Sequence, residues 1–285
     1  MHPDQLASLA LTLLTTVALL VVISVGLAVI FGMMRIINLA HGEFLMLGAF
    51  ATLSGVRAGL SLWLAMPLAA LVVGAFGLAV ERLLIRHLYG RLADTMLATW
   101  GLSLILVQAV VLLYGPATNG IPTPLSSFEL GRYSVSEYSL VLIGAGLLLP
   151  ALVWLVLTRT RYGVMARAAT QLPEMAAAVG VNTSRMNMWS FAFGSALAGA
   201  GGALLAPLAG VVPSMGQAYI ARAFMTVIVG GPQVITGTVA ASGVLGGIEH
   251  AVSYLTTPFL GQGALLFAAV VLLRVLPRGL TGRRR

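Results

Sequence analysis

The sequence contains no cysteine and no lysine, and charged residues make up only 8% of its 285 positions. Without cysteine there is no disulfide, no thiolate-held metal and no cysteine nucleophile, although this absence names no compartment. Without lysine there is neither the phosphate-binding lysine of a P-loop nor a lysine Schiff base, so any nucleotide-driven step requires another chain to bind the nucleotide. All 16 Lys-or-Arg positions are therefore arginine. The scarcity of charge excludes a soluble globule of this length, which would need a charged surface that these residues do not supply.

What is present is apolar: 59% of residues are hydrophobic, and uncharged runs cover residues 5–34, 58–80, 95–128, 138–158, 186–221, 223–248 and 251–273. About 20 helical residues cross a bilayer core. The expected fold is all-α, a polytopic membrane helical bundle forming one transmembrane domain over 1–285. The first run lacks the basic flank of a signal peptide and exceeds its usual apolar length, so it reads as a retained span.

A net charge of +8 raises the possibility of nucleic acid, but the arginines sit between apolar runs, and the positive-inside rule accounts for them without such a partner. Arg82, Arg86 and Arg91 share one connection; Arg159, Arg161, Arg167 and Arg185 share another; Arg274, Arg278, Arg283, Arg284 and Arg285 close the chain. These regions should be cytoplasmic. The connection 115–137 sets Arg132 against Glu129 and Glu137 and carries Pro116, Pro122 and Pro124, so it should lie outside. Counting back through Arg57 and Arg35 places the amino terminus outside and the carboxyl terminus in the cytoplasm.

Past residue 186 the parity of crossings is open. Gly230-Gly231-Pro232 offers a helix break, because two residues of low helix propensity precede one without an amide hydrogen. It would divide the region into pieces near 219–229, 235–252 and 258–275. Broken helices persist at membrane depth only where protein or a wet cavity covers the freed backbone. Roughly eight to nine membrane elements are expected, some broken or re-entrant.

Three stretches carry chemistry. In INLAHGEFLML, Asn38, His41 and Glu43 stand between apolar segments. One reading makes Asn38 a cap for the second helix, with Glu43 near the positive end of its dipole. The other places His41 and Glu43 on a translocation pathway, since a carboxylate facing lipid costs about 2.5 to 3.5 kcal/mol even on insertion scales. Catalysis is poorly supported: His41-Gly42-Glu43 lacks the second histidine of a zinc-protease motif, His87 and His250 have no companion ligands, and no serine stands in a nucleophile elbow. No metal, cofactor or enzymatic role is expected.

In the segment 161–189, Pro173 suits the first turn of a helix, Glu174 complements its dipole, and Gly180 can stop it in a left-handed cap. Leu172, Met175, Ala176 and Val179 recur at helical spacing and give this short cytoplasmic helix an apolar stripe, available to a partner groove, to the membrane surface or to its own domain. Further on, Gly194, Ala198 and Gly202 recur at four-residue steps, a smooth face that another helix backbone can approach closely.

GLAVIFGMMRIINLAHGEFLMLGAF, the cytoplasmic EMAAAVG, FAFGSALAGAGGALLAPLAG and the later AFMTVIVGG, in this order over nearly the whole chain, resemble the inner-membrane permeases of ATP-binding-cassette importers for branched-chain amino acids and related small polar solutes. DTMLATWGLSLIL, GQAYIARAFMTVIVGG and RVLPRGLTGR look more like the urea permease branch, whereas Pro232-Gln233 departs from the small residues of the family pattern. The resemblance implies a bacterial inner-membrane, multi-pass subunit. Its partners would be a second permease chain, cytoplasmic ATP-binding subunits and an external solute-binding protein. The element containing Glu174, Met175, Ala176, Val179 and Gly180, within a cytoplasmic loop of about 159–188, resembles the coupling helix that sits in an ATPase groove. The expected function is import of urea or short amides; the alternatives are import of branched-chain amino acids, or a passive channel or secondary transporter.

Overall fold

The computed structural model describes residues 3–131 and 133–282. Arg132, Arg283, Arg284 and Arg285, used above in assigning sides, lie outside the described residues. Eleven α-helices run in order among the described residues: α1 Pro3–Met34, α2 His41–Arg57, α3 Leu62–Leu83, α4 Leu92–Tyr114, α5 Tyr138–Arg159, α6 Arg161–Gln171, α7 Pro173–Ala178, α8 Thr183–Ala209, α9 Met215–Gly230, α10 Val234–Leu255 and α11 Pro258–Val275. A small antiparallel hairpin, β1 Ser127–Leu130 and β2 Tyr133–Ser136, pairs Ser127 with Ser136 in the connection between α4 and α5. The sequence reading, guided by the prolines there, did not anticipate it.

Six helices among the described residues, α1, α3, α4, α5, α8 and α11, are long and apolar enough to cross a membrane, or seven spans if the pair α9 and α10 counts as one. The count is lower than the expected eight or nine. The reason is length and charge: α2 has 17 residues and carries His41, Glu43 and Arg57, and α9 has 16. At 1.5 Å per residue such helices fall short of a hydrocarbon core of about 30 Å.

The described residues form two compact units. One comprises Val25–Ile121 and Ala151–Ile220, and the other comprises the remainder. In the first, α8 packs against α2 and α3. Small residues let the backbones meet: a Cβ on Gly202 would run into the carbonyl of Leu45, and one on Gly199 would lie 2.7 Å from Cβ of Val73. Gly194 adjoins Gly26 of α1, where a side chain would lie 2.8 Å from the Gly26 oxygen. The expected smooth face of α8 is thus covered on several sides.

Contacts within this unit sort the connections onto two ends. At one end Arg57 donates to Oδ1 of Asn119 (2.5 Å), and Asn119 and Val211 exchange two backbone hydrogen bonds (2.9 and 2.8 Å). At the other, Thr170 of α6 donates to the Met33 carbonyl (2.8 Å), and the hydroxyl of Thr95 reaches back to the Leu88 carbonyl (3.2 Å). Residues 57, 119 and 211 thus meet at one place, and residues 33 and 170 at another.

The second unit contains the helix break. Gly231 adopts φ +85°, a left-handed conformation open to glycine, and α10 leaves α9 at 115°. The observed pieces, Met215–Gly230, Val234–Leu255 and Pro258–Val275, follow the sequence expectation within a few residues. The freed carbonyls at the end of α9 are met by the chain's tail: the Leu280 amide donates to Val229 (2.7 Å) and the Thr281 hydroxyl to Gly230 (2.6 Å).

Gly202→Val is expected to force α2 and α8 apart and, at about 1–3 kcal/mol for overpacking, to lower the thermal midpoint of the purified chain. Gly243→Ala, whose Cβ meets nothing within 4 Å, should leave it nearly unchanged. Identical melting of the two variants would contradict this packing.

Candidate functional site

The start of α2 is a polar knot inside the first unit: Asn38 and His41 are wholly buried and Glu43 is 2% exposed. Ala40, not Asn38, stands at the N-cap, and it makes no side-chain cap. Asn38 acts two residues earlier, its Oδ1 accepting from the Ala40 amide (3.1 Å), an Asx turn that steers the chain into the helix. The preceding bend is made by Arg35 at φ 54°, just after α1 ends. Glu43 lies in the first turn of α2, as the dipole reading requires.

Three consecutive residues face three neighbours, because a helix turns about 100° per residue. His41 packs toward α1, where a Cβ on Gly26 would lie 3.3 Å from its Cε1. Gly42 meets Gly216 of α9 so closely that a Cβ on Gly216 would lie 2.5 Å from the Gly42 carbonyl carbon. Glu43 turns to α4 and is hydrogen-bonded to the Ser103 side chain. His41 and Glu43 are therefore near in sequence but do not converge on one point.

The side of α4 that receives Glu43 repeats every three or four residues: Thr95, Thr99, Ser103, Leu106 and Val110 are its buried positions. The Thr99 hydroxyl accepts from the Leu39 amide (3.1 Å), satisfying backbone that the bend before α2 leaves open. Nδ2 of Asn38 and Oε2 of Glu43 are buried and without a hydrogen-bond partner. Buried polar groups of this kind are uncommon and call for an explanation.

The cytoplasmic-loop candidates fall on α6 and α7. Thr160 caps α6 by accepting from the Gly163 amide (3.1 Å), and the Tyr162 hydroxyl shares a 2.8 Å hydrogen bond with Ser190 of α8. Burial pushes the Tyr162 hydroxyl above its ordinary range, so it remains protonated. In α7, Pro173 opens the helix and Glu174 lies in its first turn. Gly180, at φ +89°, closes it in a Schellman arrangement, with Val181 donating to Ala176 (2.9 Å) and Gly180 to Ala177 (2.9 Å). Ala176 faces inward at 4% exposure, whereas Leu172, Met175 and Val179 stand out at 64%, 65% and 80%. The apolar stripe read from sequence is thus split, one small residue packed and three large ones presented outward.

Above this loop lies a cavity of about 550 Å³, lined by Met33 to Ile36, Tyr89 to Leu92, Thr95, residues 169–171, Pro173, Thr183 and Asn187. Burial and then the carboxylate of Glu81, which accepts the phenol proton, push the Tyr89 hydroxyl far up, so it stays a donor. Asn38, His41 and Glu43 do not line this cavity.

With these features in place, comparison with known proteins is decisive. The family described as branched-chain amino acid transport system / permease component matches residues 9–276. The chain belongs to this permease family. Its relatives include the probable branched-chain amino acid transport permease protein LivH of Methanocaldococcus jannaschii, 27% identical over 93% of this chain and 89% of the relative. LivH of Escherichia coli K12, described as a high-affinity branched-chain amino acid transport system permease protein, is 28% identical over 92% and 90%. BraD of Pseudomonas aeruginosa, with the same description, is 29% identical over 80% of each chain. No solved structure matches. The relatives are transport permeases rather than enzymes, and a permease component of this importer class implies ATP-binding subunits and a binding protein as partners.

One pair of residues escaped the sequence reading. Arg222 of α9 and Glu249 of α10 form a buried ion pair, Nη1 to Oε1 at 3.2 Å, across the helix break. The signal was available: both charges interrupt long uncharged runs, and two isolated opposite charges at membrane depth are expected to find each other. They were used only as the ends of those runs.

Proposed function

We propose that the chain is the membrane-embedded permease subunit of an ATP-driven importer for branched-chain amino acids. The family match over residues 9–276 carries this reading, and relatives described as branched-chain amino acid permeases cover 80% or more of the chain. It favours the alternative substrate over urea or short amides. The urea reading rests on the stretches 94–106, 216–231 and 274–283 and is kept as the second reading. Since the match runs across both compact units, 1–285 is read as one permease domain, with its coupling loop at about 159–188. The orientation proposed, amino terminus outside and carboxyl terminus in the cytoplasm, rests on the distribution of arginine between the apolar runs. A second permease chain would complete the route, as one membrane subunit forms only one of its walls.

In this reading α7 is the coupling helix. Support comes from its geometry: Leu172, Met175 and Val179 face outward on a loop whose body is tied to α1 by Thr170 and to α8 by Tyr162. An apolar stripe of that size fits a groove in a partner protein. Gly180 fixes where the helix ends, and Ala176 anchors its inner side. Asn38, His41 and Glu43 remain pathway candidates, supported by the unpartnered Nδ2 and Oε2 atoms, which suit groups that exchange partners as helices move. The break at Gly230, Gly231 and Pro232 gives the second unit a point where α9 and α10 can change angle.

Reconstitution with the ATP-binding subunits and binding protein should give ATP-dependent uptake of leucine, isoleucine and valine well above that of urea or acetamide. A preference for urea would install the second reading, and uptake by the chain alone would replace both with a channel or secondary transporter. Replacing Glu174 and Met175 together with alanine is expected to uncouple ATP hydrolysis from uptake while the permease stays in the membrane; unchanged coupling would remove α7 from this role. Glu43→Gln is expected to lower the uptake rate by roughly tenfold with little change in the amount of assembled complex. Equal loss of rate and assembly would assign Glu43 to folding alone.

A further inference from the structure

Where α3 ends and α8 begins, the first unit holds a second cavity, of about 290 Å³, whose lining includes Arg82, Arg86 and Arg185 together with Asn182, Ser184 and Met188. The three guanidinium groups come from three elements: the last turn of α3, the 3-10 helix Ile85–Leu88 and the first turn of α8. None of them forms an ion pair among the described residues. The one carboxylate in the lining, Glu81, is buried and already accepts the Tyr89 hydroxyl.

The start of α8 is electrostatically unbalanced. A helix carries partial positive charge at its N-terminus, where acidic residues are favoured. The 27-residue α8 has no acidic residue in its first turn and places Arg185 there instead. Asn182 meets one open amide, accepting from Arg185 N at 2.9 Å, but it contributes no charge. An anion between this helix end and the three guanidinium groups would offset both.

The surroundings indicate where that anion comes from. Leu83, beside Arg82, is 77% exposed, and Trp189, one turn beyond Arg185, is 49% exposed. An exposed leucine and an exposed tryptophan, each close along the chain to a lining arginine, fit a membrane-water boundary, where the indole sits at headgroup level. Basic pockets between transmembrane helices at that level bind lipid phosphates. Arginine suits them because its planar fork meets two phosphate oxygens at once.

We propose that this cavity binds the phosphodiester of an anionic phospholipid headgroup, held by Arg82, Arg86 and Arg185 at the open end of α8. The acyl chains would lie along the apolar surface marked by Leu83. The cavity's small volume suits a headgroup phosphate and its glycerol, with the tails outside it. Because α8 packs on α2 and α3, an occupied site would fix the end of the central helix of this unit.

The test is native mass spectrometry of the purified full-length chain in detergent, offered equal amounts of phosphatidylglycerol and phosphatidylcholine. Phosphatidylglycerol should be retained about tenfold better, and the preference should shrink as salt is raised. The triple substitution R82Q/R86Q/R185Q should bring the ratio close to one. Equal retention of the two lipids by the unsubstituted chain, a result that needs no variant to fold, would overturn the proposal. So would a preference that survives the triple substitution. Displacement of the lipid by millimolar inorganic phosphate would make the ligand a free anion, against the proposal. Loss of ATP-binding-subunit co-purification on substitution, with lipid preference intact, would make the arginines a protein contact instead.

Discussion

An amide or carbonyl left unpaired in hydrocarbon costs several kcal/mol, and no water is present to satisfy it. That constraint organises the molecule wherever its helices stop. At the bend between α1 and α2 the backbone is satisfied by side chains: Asn38 takes the Ala40 amide and Thr99 the Leu39 amide. At the break after α9, the tail does the same work from 51 residues further along, as Leu280 and Thr281 meet the Val229 and Gly230 carbonyls. Irregular backbone persists at both places because protein has closed around it. The tail of the chain is therefore part of the break's structure, and its register is tied to the geometry of α9.

The same medium removes the hydrophobic incentive for one helix to join another, since lipid tails are as apolar as leucine. Close approach has to supply the attraction through dispersion, and small residues make close approach possible. The contacts of Gly48 with Gly199, Gly202 with Leu45 and Gly42 with Gly216 bring backbones together along α2, α8 and α9. Such joints fit tightly in one arrangement and poorly in others.

Sequence reading succeeded where a residue's own stereochemistry decides the outcome. Gly231 before Pro232 marked the break, and Pro173 and Gly180 bounded α7, because each signal is local. It went less far where the outcome depends on which neighbour arrives. Periodicity states that His41, Gly42 and Glu43 point about 100° apart, yet only the fold shows that they meet α1, α9 and α4. The pairing of Arg222 with Glu249 was hidden for a related reason: each charge was visible, but their closeness follows from the folding back of α10. The number of spans was overestimated because uncharged length was counted without allowing for helices as short as α2 and α9. Substrate was the least legible property. The stretches that suggested urea are three short segments, whereas the family match draws on residues 9–276.

In the proposed importer, energy would enter as force on a surface, and a force is useful only if the surface is stiffly joined to the helices it must move. A six-residue helix on a free loop would absorb a push. Here only Leu172 separates α7 from α6, whose Thr170 hydroxyl is bonded to the end of α1 and whose Tyr162 is bonded to α8. The glycine-lined contacts of α8 join it closely to α2 and α3. The polar knot at the start of α2 faces α1, α9 and α4. Its unpartnered oxygen and nitrogen atoms thus sit where a shift of one helix relative to another would change which partners are in reach.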